Sequence, residues 1–156
     1  MMRNLKIKLP VILCLLLILT AVSCTPESCF EETNAFLKAT FYLRSTNKLM
    51  APDSLTIYGL NMESKKLYDK QAGVQPALIP LNPSAENCSF IIMINGTTDT
   101  LTFGYNSYPH LLSKECGYTF YHELKSRFNT NNIIDTVVIA TQKITTDNAE
   151  NLRIYY

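Results

Sequence analysis

The chain has 156 residues, fourteen basic against thirteen acidic, for a net charge of +1. That length suits a single domain, and the near balance of charge lacks the basic footprint of a nucleic-acid binder, so no nucleic-acid partner is expected. No apolar run reaches the roughly 20 residues needed to cross a bilayer as a helix.

The N-terminus reads as a secretory signal. Arg3, Lys6 and Lys8 form a basic start, and Leu9 to Leu19 is almost wholly apolar, the length of a signal-peptide h-region. The small residues of Thr20-Ala21-Val22-Ser23 then lead to Cys24. This is the layout expected of a bacterial lipoprotein signal, with residues 1–23 removed, Cys24 the lipid attachment site and residues 24–34 an acidic tether. The plainer reading is an ordinary cleavable signal that ends near Ser23 and leaves Cys24 an incidental thiol. Two or three acyl chains on Cys24 hold a protein to a membrane far more firmly than one. Removing three of the fourteen basic residues leaves eleven against thirteen acidic ones, a net charge of −2. Thr25 is not the Asp that retains lipoproteins at the inner membrane, which favours the outer membrane. Glu27, Glu31 and Glu32 resemble an acidic surface-export signal.

From residue 35 onward one domain is expected. Ala35 to Leu43 alternates, with Leu37, Ala39, Phe41 and Leu43 on one side, the period of a half-buried strand. A turn at Ala51-Pro52-Asp53-Ser54 precedes a strand at Leu55 to Leu60, and Lys66 to Asp69 is at most a short edge strand. Ala77 to Leu81 carries Pro80, which confines it to an edge. Ser89 to Ile94 and Thr98 to Tyr105 flank Asn95-Gly96, the strongest short-range hairpin cue because a type I′ turn needs positive φ twice. Further strands are expected at Cys116 to Tyr121, within Ile133 to Ile144, and at Leu152 to Tyr156. Tyr121, Leu124 and Phe128 share a helical face, so Tyr121 to Phe128 is the one helix candidate. Seven or eight short strands predict an all-β fold, an antiparallel, immunoglobulin-like β-sandwich, with a small β-barrel as the alternative. Phe90, Ile92, Ile94, Leu101, Phe103, Val137, Ile139 and Ile154 should form the core.

The chemistry-bearing residues are sparse. There is no Gly-x-Ser-x-Gly, no His-Glu-x-x-His and no phosphate-cradling glycine loop, so no catalytic residue, cofactor or metal is expected. Cys29, Cys88 and Cys116 remain beside Cys24, and any one disulfide among them leaves a thiol over. None has zinc-site spacing. His110 and His122 flank Cys116 at six residues on either side, a weak pattern for a metal or nucleophile site. Asp53, Asp99 and Asp135 are candidates for a carboxylate pair of the kind glycosidases use, although Asp is common in turns for its own backbone hydrogen bonds. Each begins an Asp, hydroxyl, aliphatic triplet. Ser54, Thr100 and Thr136 therefore resemble acceptors for bacterial envelope O-glycosylation, against the plainer reading as turn-to-strand grammar. The nine tyrosines suit sugar stacking or, more simply, strands.

Several motifs together resemble a known family. They are Cys24-Thr-Pro-Glu-Ser-Cys29, Asp99-Thr-Leu-Thr-Phe-Gly-Tyr105, Glu115-Cys116-Gly117-Tyr118 and the terminal Leu152-Arg-Ile-Tyr-Tyr156. The chain is similar, over essentially the whole segment after Cys24, to uncharacterised envelope lipoproteins of Bacteroidota-type bacteria that carry a domain of unknown function. The resemblance implies a compact β domain held to the outer membrane by its lipid, and a partner among outer-membrane β-barrel proteins. It also implies that Cys29 pairs with Cys116 and leaves Cys88 free and buried, with Cys88–Cys116 as the competing pair. Two functions follow as expectations: a non-enzymatic binding or scaffolding module for a membrane partner or envelope glycan, or a small hydrolase using carboxylates.

Overall fold

The computed structural model describes Cys29 and residues 31–156, so the signal segment and Cys24 lie outside the described residues. The chain divides into two compact units, residues 1–30 and 31–156, and every strand below belongs to the second.

Hydrophobic alternation builds eleven strands and, among the described residues, no helix. They are β1 (Leu37–Leu43), β2 (Lys48–Leu49), β3 (Leu55–Gly59), β4 (Lys66–Gln71), β5 (Ala77–Ile79), β6 (Asn87–Ile94), β7 (Thr97–Ser113), β8 (Gly117–Asn129), β9 (Thr136–Ile139), β10 (Lys143–Ile144) and β11 (Leu152–Tyr155). A five-stranded sheet runs β2-β1-β11-β9, with β5 also on β1, and a six-stranded sheet runs β10-β8-β7-β6-β3-β4. One core takes Leu37, Ala39, Phe41, Val137, Leu152 and Ile154 from the first sheet. From the second it takes Leu55, Ile57, Phe90, Ile92, Ile94, Leu101, Phe103 and Leu124. The all-β expectation holds, and two sheets around one core fit a β-sandwich or small barrel.

Three expectations need correction. The strands number eleven rather than seven or eight; β2 and β10 have two residues each and β5 three, too few to leave a clear periodic trace. The pairing is not purely antiparallel, since β1 and β11 run parallel from Ala39↔Leu152 to Tyr42↔Tyr155. Tyr121 to Phe128 is not a helix but part of the 13-residue strand β8. There His122 and Leu124 point inward while Phe128 is exposed; a buried histidine in an apolar slot hid the period of two. Of the expected core, Ile139 alone is only half-buried.

Local chemistry explains the edges. Asn95 and Gly96 adopt φ of 49° and 89°, as the hairpin cue requires. Asn95 also receives the Ser54 N–H on Oδ1 at 3.0 Å and donates its own N–H to the Ser54 carbonyl at 2.9 Å. The hairpin so formed ties itself to the start of β3. On the free side of β1, β5 covers Leu37 to Ala39 and β2 covers Tyr42 to Leu43. Between them the Gln75 amide substitutes for a strand residue. It accepts from the Phe41 N–H at 3.1 Å and donates to the Phe41 carbonyl at 3.0 Å, so the backbone groups of this buried residue are satisfied.

β7 and β8 outrun their neighbours. β6 pairs only with Asn87↔Gly104 through Ile94↔Thr97, whereas β7 and β8 remain paired to Ser113↔Gly117. β10 still flanks β8 at His122 and Glu123, and from Tyr108↔Tyr121 outward β7 and β8 form a two-stranded ribbon, turned at its tip by Gly117 with φ of 72°.

Candidate functional site

An apolar recess of about 580 Å³ forms a groove on the six-stranded sheet, between the β3–β4 connection and the segment leading into β6. Its rim is set by a turn. The Met62 N–H donates to the Gly59 carbonyl at 2.8 Å, and Asn61 takes φ of 64°. A methyl group on Gly59 would lie 3.0 Å from Met62 Sδ, so glycine lets the Met62 side chain fold back. This turn presents Leu60 and Met62 to solvent, with Leu67 beside them. Phe90 and Cys88 line the groove, and Lys65 is the only cation lining it among the described residues.

A short polar line underlies that wall. Tyr105 is buried, and its hydroxyl donates to the Asn82 carbonyl at 2.9 Å. Burial, with the Cys88 thiol beside it, pushes the Tyr105 phenol up to about 12. Burial likewise pushes the Cys88 thiol up to about 11, against a smaller opposing effect of its hydrogen bond with Tyr105. A thiol in that state is a neutral packing group. At pH 8 about one molecule in a thousand is thiolate, so alkylation of native Cys88 by iodoacetamide should be slow and accelerate roughly tenfold per pH unit up to pH 10. A fast, pH-independent reaction would contradict this assignment.

A smaller depression of about 170 Å³ is lined by Phe36, Pro80, Leu81, Phe120 and His122. His122 is buried, and burial lowers its pKa, so the ring is neutral at pH 7. Its Nδ1 lies 2.8 Å from Ser107 Oγ, because Ser107 and His122 are direct partners across the β7–β8 ladder. Sequence reasoning missed this pair, since fifteen residues separate the two and only strand register joins them. A serine–histidine contact is half of a nucleophilic device, which needs a further group to orient the base. Here Tyr105 packs edge-on against the ring at 5.6 Å, and Glu123 is tied to Lys125 at 2.7 Å. The arrangement satisfies a buried histidine.

The remaining candidates are dispersed. His110 stacks on Tyr121 with ring centroids 4.2 Å apart. The register places His110 and His122 three pairs apart on opposite faces of the β7–β8 ladder. Among the described residues, no group of three His, Cys, Asp or Glu side chains is placed to hold a metal. Asp99 is 1% exposed, and its carboxylate accepts from the Thr130 hydroxyl and from the N–H groups of Asn132, Ile133 and Ile134. Burial alone would raise its pKa, but those hydrogen bonds outweigh burial and hold it below the usual carboxylate value. A carboxylate occupied in this way is a loop clamp, not a free acid or base.

Asp53 and Asp135 are exposed. Of the three hydroxyl positions, Ser54 and Thr100 are half-buried, and Thr136 is exposed beside exposed Asp135. Tyr42 and Tyr155 stack on each other at 5.3 Å on the five-stranded sheet, where the Tyr42 hydroxyl donates to Glu150 Oε1 at 3.0 Å. These tyrosines serve the sheet surface. Cys29 and Cys116 are disulfide-bonded residues, and Cys88 is a free thiol.

Residues 54–156 match a protein family described as "Family of unknown function (DUF6452)". The match starts at Ser54, so β1, Cys24 and Cys29 lie outside it. No curated protein and no solved structure matches the chain.

Proposed function

We propose that this chain, which belongs to the DUF6452 family of unknown function, is a lipid-anchored outer-membrane protein of the cell envelope that acts as a non-enzymatic docking module. Cys24 carries the lipid, Cys29 pairs with Cys116, and the occupant of the groove is an extended apolar segment of an envelope partner, an outer-membrane β-barrel protein by preference. The supporting observation is the groove itself. It has the volume of a binding site and an apolar wall of Leu60, Met62, Leu67 and Phe90. Exposed apolar side chains around a recess favour a macromolecular partner over a glycan, which is gripped through hydroxyl hydrogen bonds and flat aromatic faces.

A photo-reactive residue placed at Met62 in the full chain tests this reading in the protein's own membranes. A discrete adduct with one envelope protein is expected there, absent when the probe replaces exposed Val138 on β9. Leu60→Glu should reduce the adduct more than about fivefold. Equal adducts from both positions would refute docking at the groove. Cys24→Ala should release the chain from membranes, and a processed variant that still sediments with them would refute the anchor.

A further inference from the structure

One apolar surface is left unused by the groove. On the β7–β8 ribbon, Leu111 pairs with Tyr118 and Pro109 with Phe120, which puts all four side chains on one face. Leu111 is 47%, Tyr118 74% and Phe120 45% exposed, unlike the core residues of the same strands. Residues on the opposite face are engaged: Tyr108 and His110 both pack on Tyr121, and the Thr119 hydroxyl donates to the Thr33 carbonyl at 2.6 Å.

That last contact locates the N-terminal approach to the domain. Asn34, Ala35 and Phe36 continue alongside Phe120 and His122, so the chain reaches the fold beside this ribbon. Only nine residue steps separate Cys24 from Thr33, and nine extended residues reach at most ~30 Å. If Cys24 is held at a lipid surface, as proposed above, the ribbon is held within that distance of it.

We propose that the Leu111, Tyr118 and Phe120 face of the ribbon rests in the interfacial layer of the lipid membrane to which the chain is tethered. Two aromatic rings and a leucine at the free end of a rigid hairpin have the chemistry of a membrane-interface contact, with tyrosine keeping its hydroxyl among the headgroups. Three side chains bind a bilayer weakly alone, but the tether makes the step intramolecular and raises the effective concentration into the millimolar range. The ribbon would then fix the orientation of the domain above the lipid, and with it the direction in which the groove opens.

The chain contains no tryptophan, so one introduced residue gives a clean signal. Residues 24–156, the whole processed chain, would carry an N-terminal polyhistidine and be held on phosphatidylethanolamine–phosphatidylglycerol vesicles containing a chelator lipid and brominated phosphatidylcholine. The artificial tether makes the result independent of whether Cys24 is acylated, which the Cys24→Ala fractionation decides separately. Tyr118→Trp should shift to the blue on tethering and lose about half its emission to the brominated lipid. Leu49→Trp, exposed on β2 of the other sheet, should keep its solution spectrum. Phe120→Ser added to Tyr118→Trp should largely restore the solution spectrum. A Tyr118→Trp emission that stays solvent-like on the vesicles overturns the proposal. A blue shift without quenching also overturns it, because the face is then covered by a second copy of the chain. Equal quenching of the Tyr118→Trp and Leu49→Trp variants overturns it as general adsorption.

Discussion

Asp99→Ala should destabilise the protein by about 3–5 kcal/mol, enough to lower the melting temperature by roughly 10–20 °C. The size follows from what the carboxylate holds. It accepts from the Thr130 hydroxyl and from three consecutive backbone N–H groups, Asn132, Ile133 and Ile134. Removing it leaves those donors without a partner beside a fully buried Ile134, and each unsatisfied buried group costs on the order of 1–3 kcal/mol. Asp99→Asn should fall between the two, because the amide turns a donor toward backbone donors. Since the folded carboxyl titrates below its unfolded value of about 3.9, its contribution is complete above that pH and is lost as the pH falls through the folded value. Urea unfolding should therefore show the gap between wild type and Asp99→Asn narrowing from pH 7 to below pH 3. Parallel pH profiles would show that Asp99 is not ionised in the folded state.

Cys29→Ser, Cys116→Ser and the double variant should all lose the same stability, up to roughly 4–5 kcal/mol, if these two cysteines are joined to each other. The figure reflects the loop of about ninety residues that the bond would close, which restricts the unfolded chain. Equality is the sharper criterion, because two independent bonds would make the losses add. Cys88→Ala, at a half-buried thiol, should cost much less, and a reductant should weaken wild type but not the double variant. Non-reducing peptide mapping gives the direct answer: a linked peptide containing Cys88 would overturn the pairing.

The two predictions separate what each level of description supplies. Asp99 read from sequence is one of three Asp, hydroxyl, aliphatic triplets, and that grammar treats Asp53, Asp99 and Asp135 alike. Only the fold distinguishes them, because the chain returns some thirty residues later and closes Thr130 to Ile134 over one carboxylate. The other two stay in solvent. Likewise the Asn95-Gly96 hairpin was legible because its backbone requirement is local, whereas the β1–β11 parallel pair joins residues more than a hundred positions apart.

The groove was not legible for the same reason. Leu60, Met62, Leu67 and Phe90 are ordinary apolar residues in sequence, and they converge only when β3 pairs with both β4 and β6. The Ser107–His122 contact is set by register alone, and the ribbon's outward Leu111, Tyr118 and Phe120 follow from β7 and β8 continuing past the end of β6.

What the sequence determined by itself is what short-range chemistry controls. Alternation of apolar residues made strands, Asn-Gly made the turn, and Pro80 stands just past the end of β5, which pairs with β1 alone. The basic start, apolar run and Cys24 gave a reading of the N-terminus that needs no fold. The tertiary structure decided which apolar residues are left exposed and which polar residues are enclosed. Those outcomes depend on strand order, register and relative strand length, which follow from the packing of both sheets around one core and from no single stretch of chain.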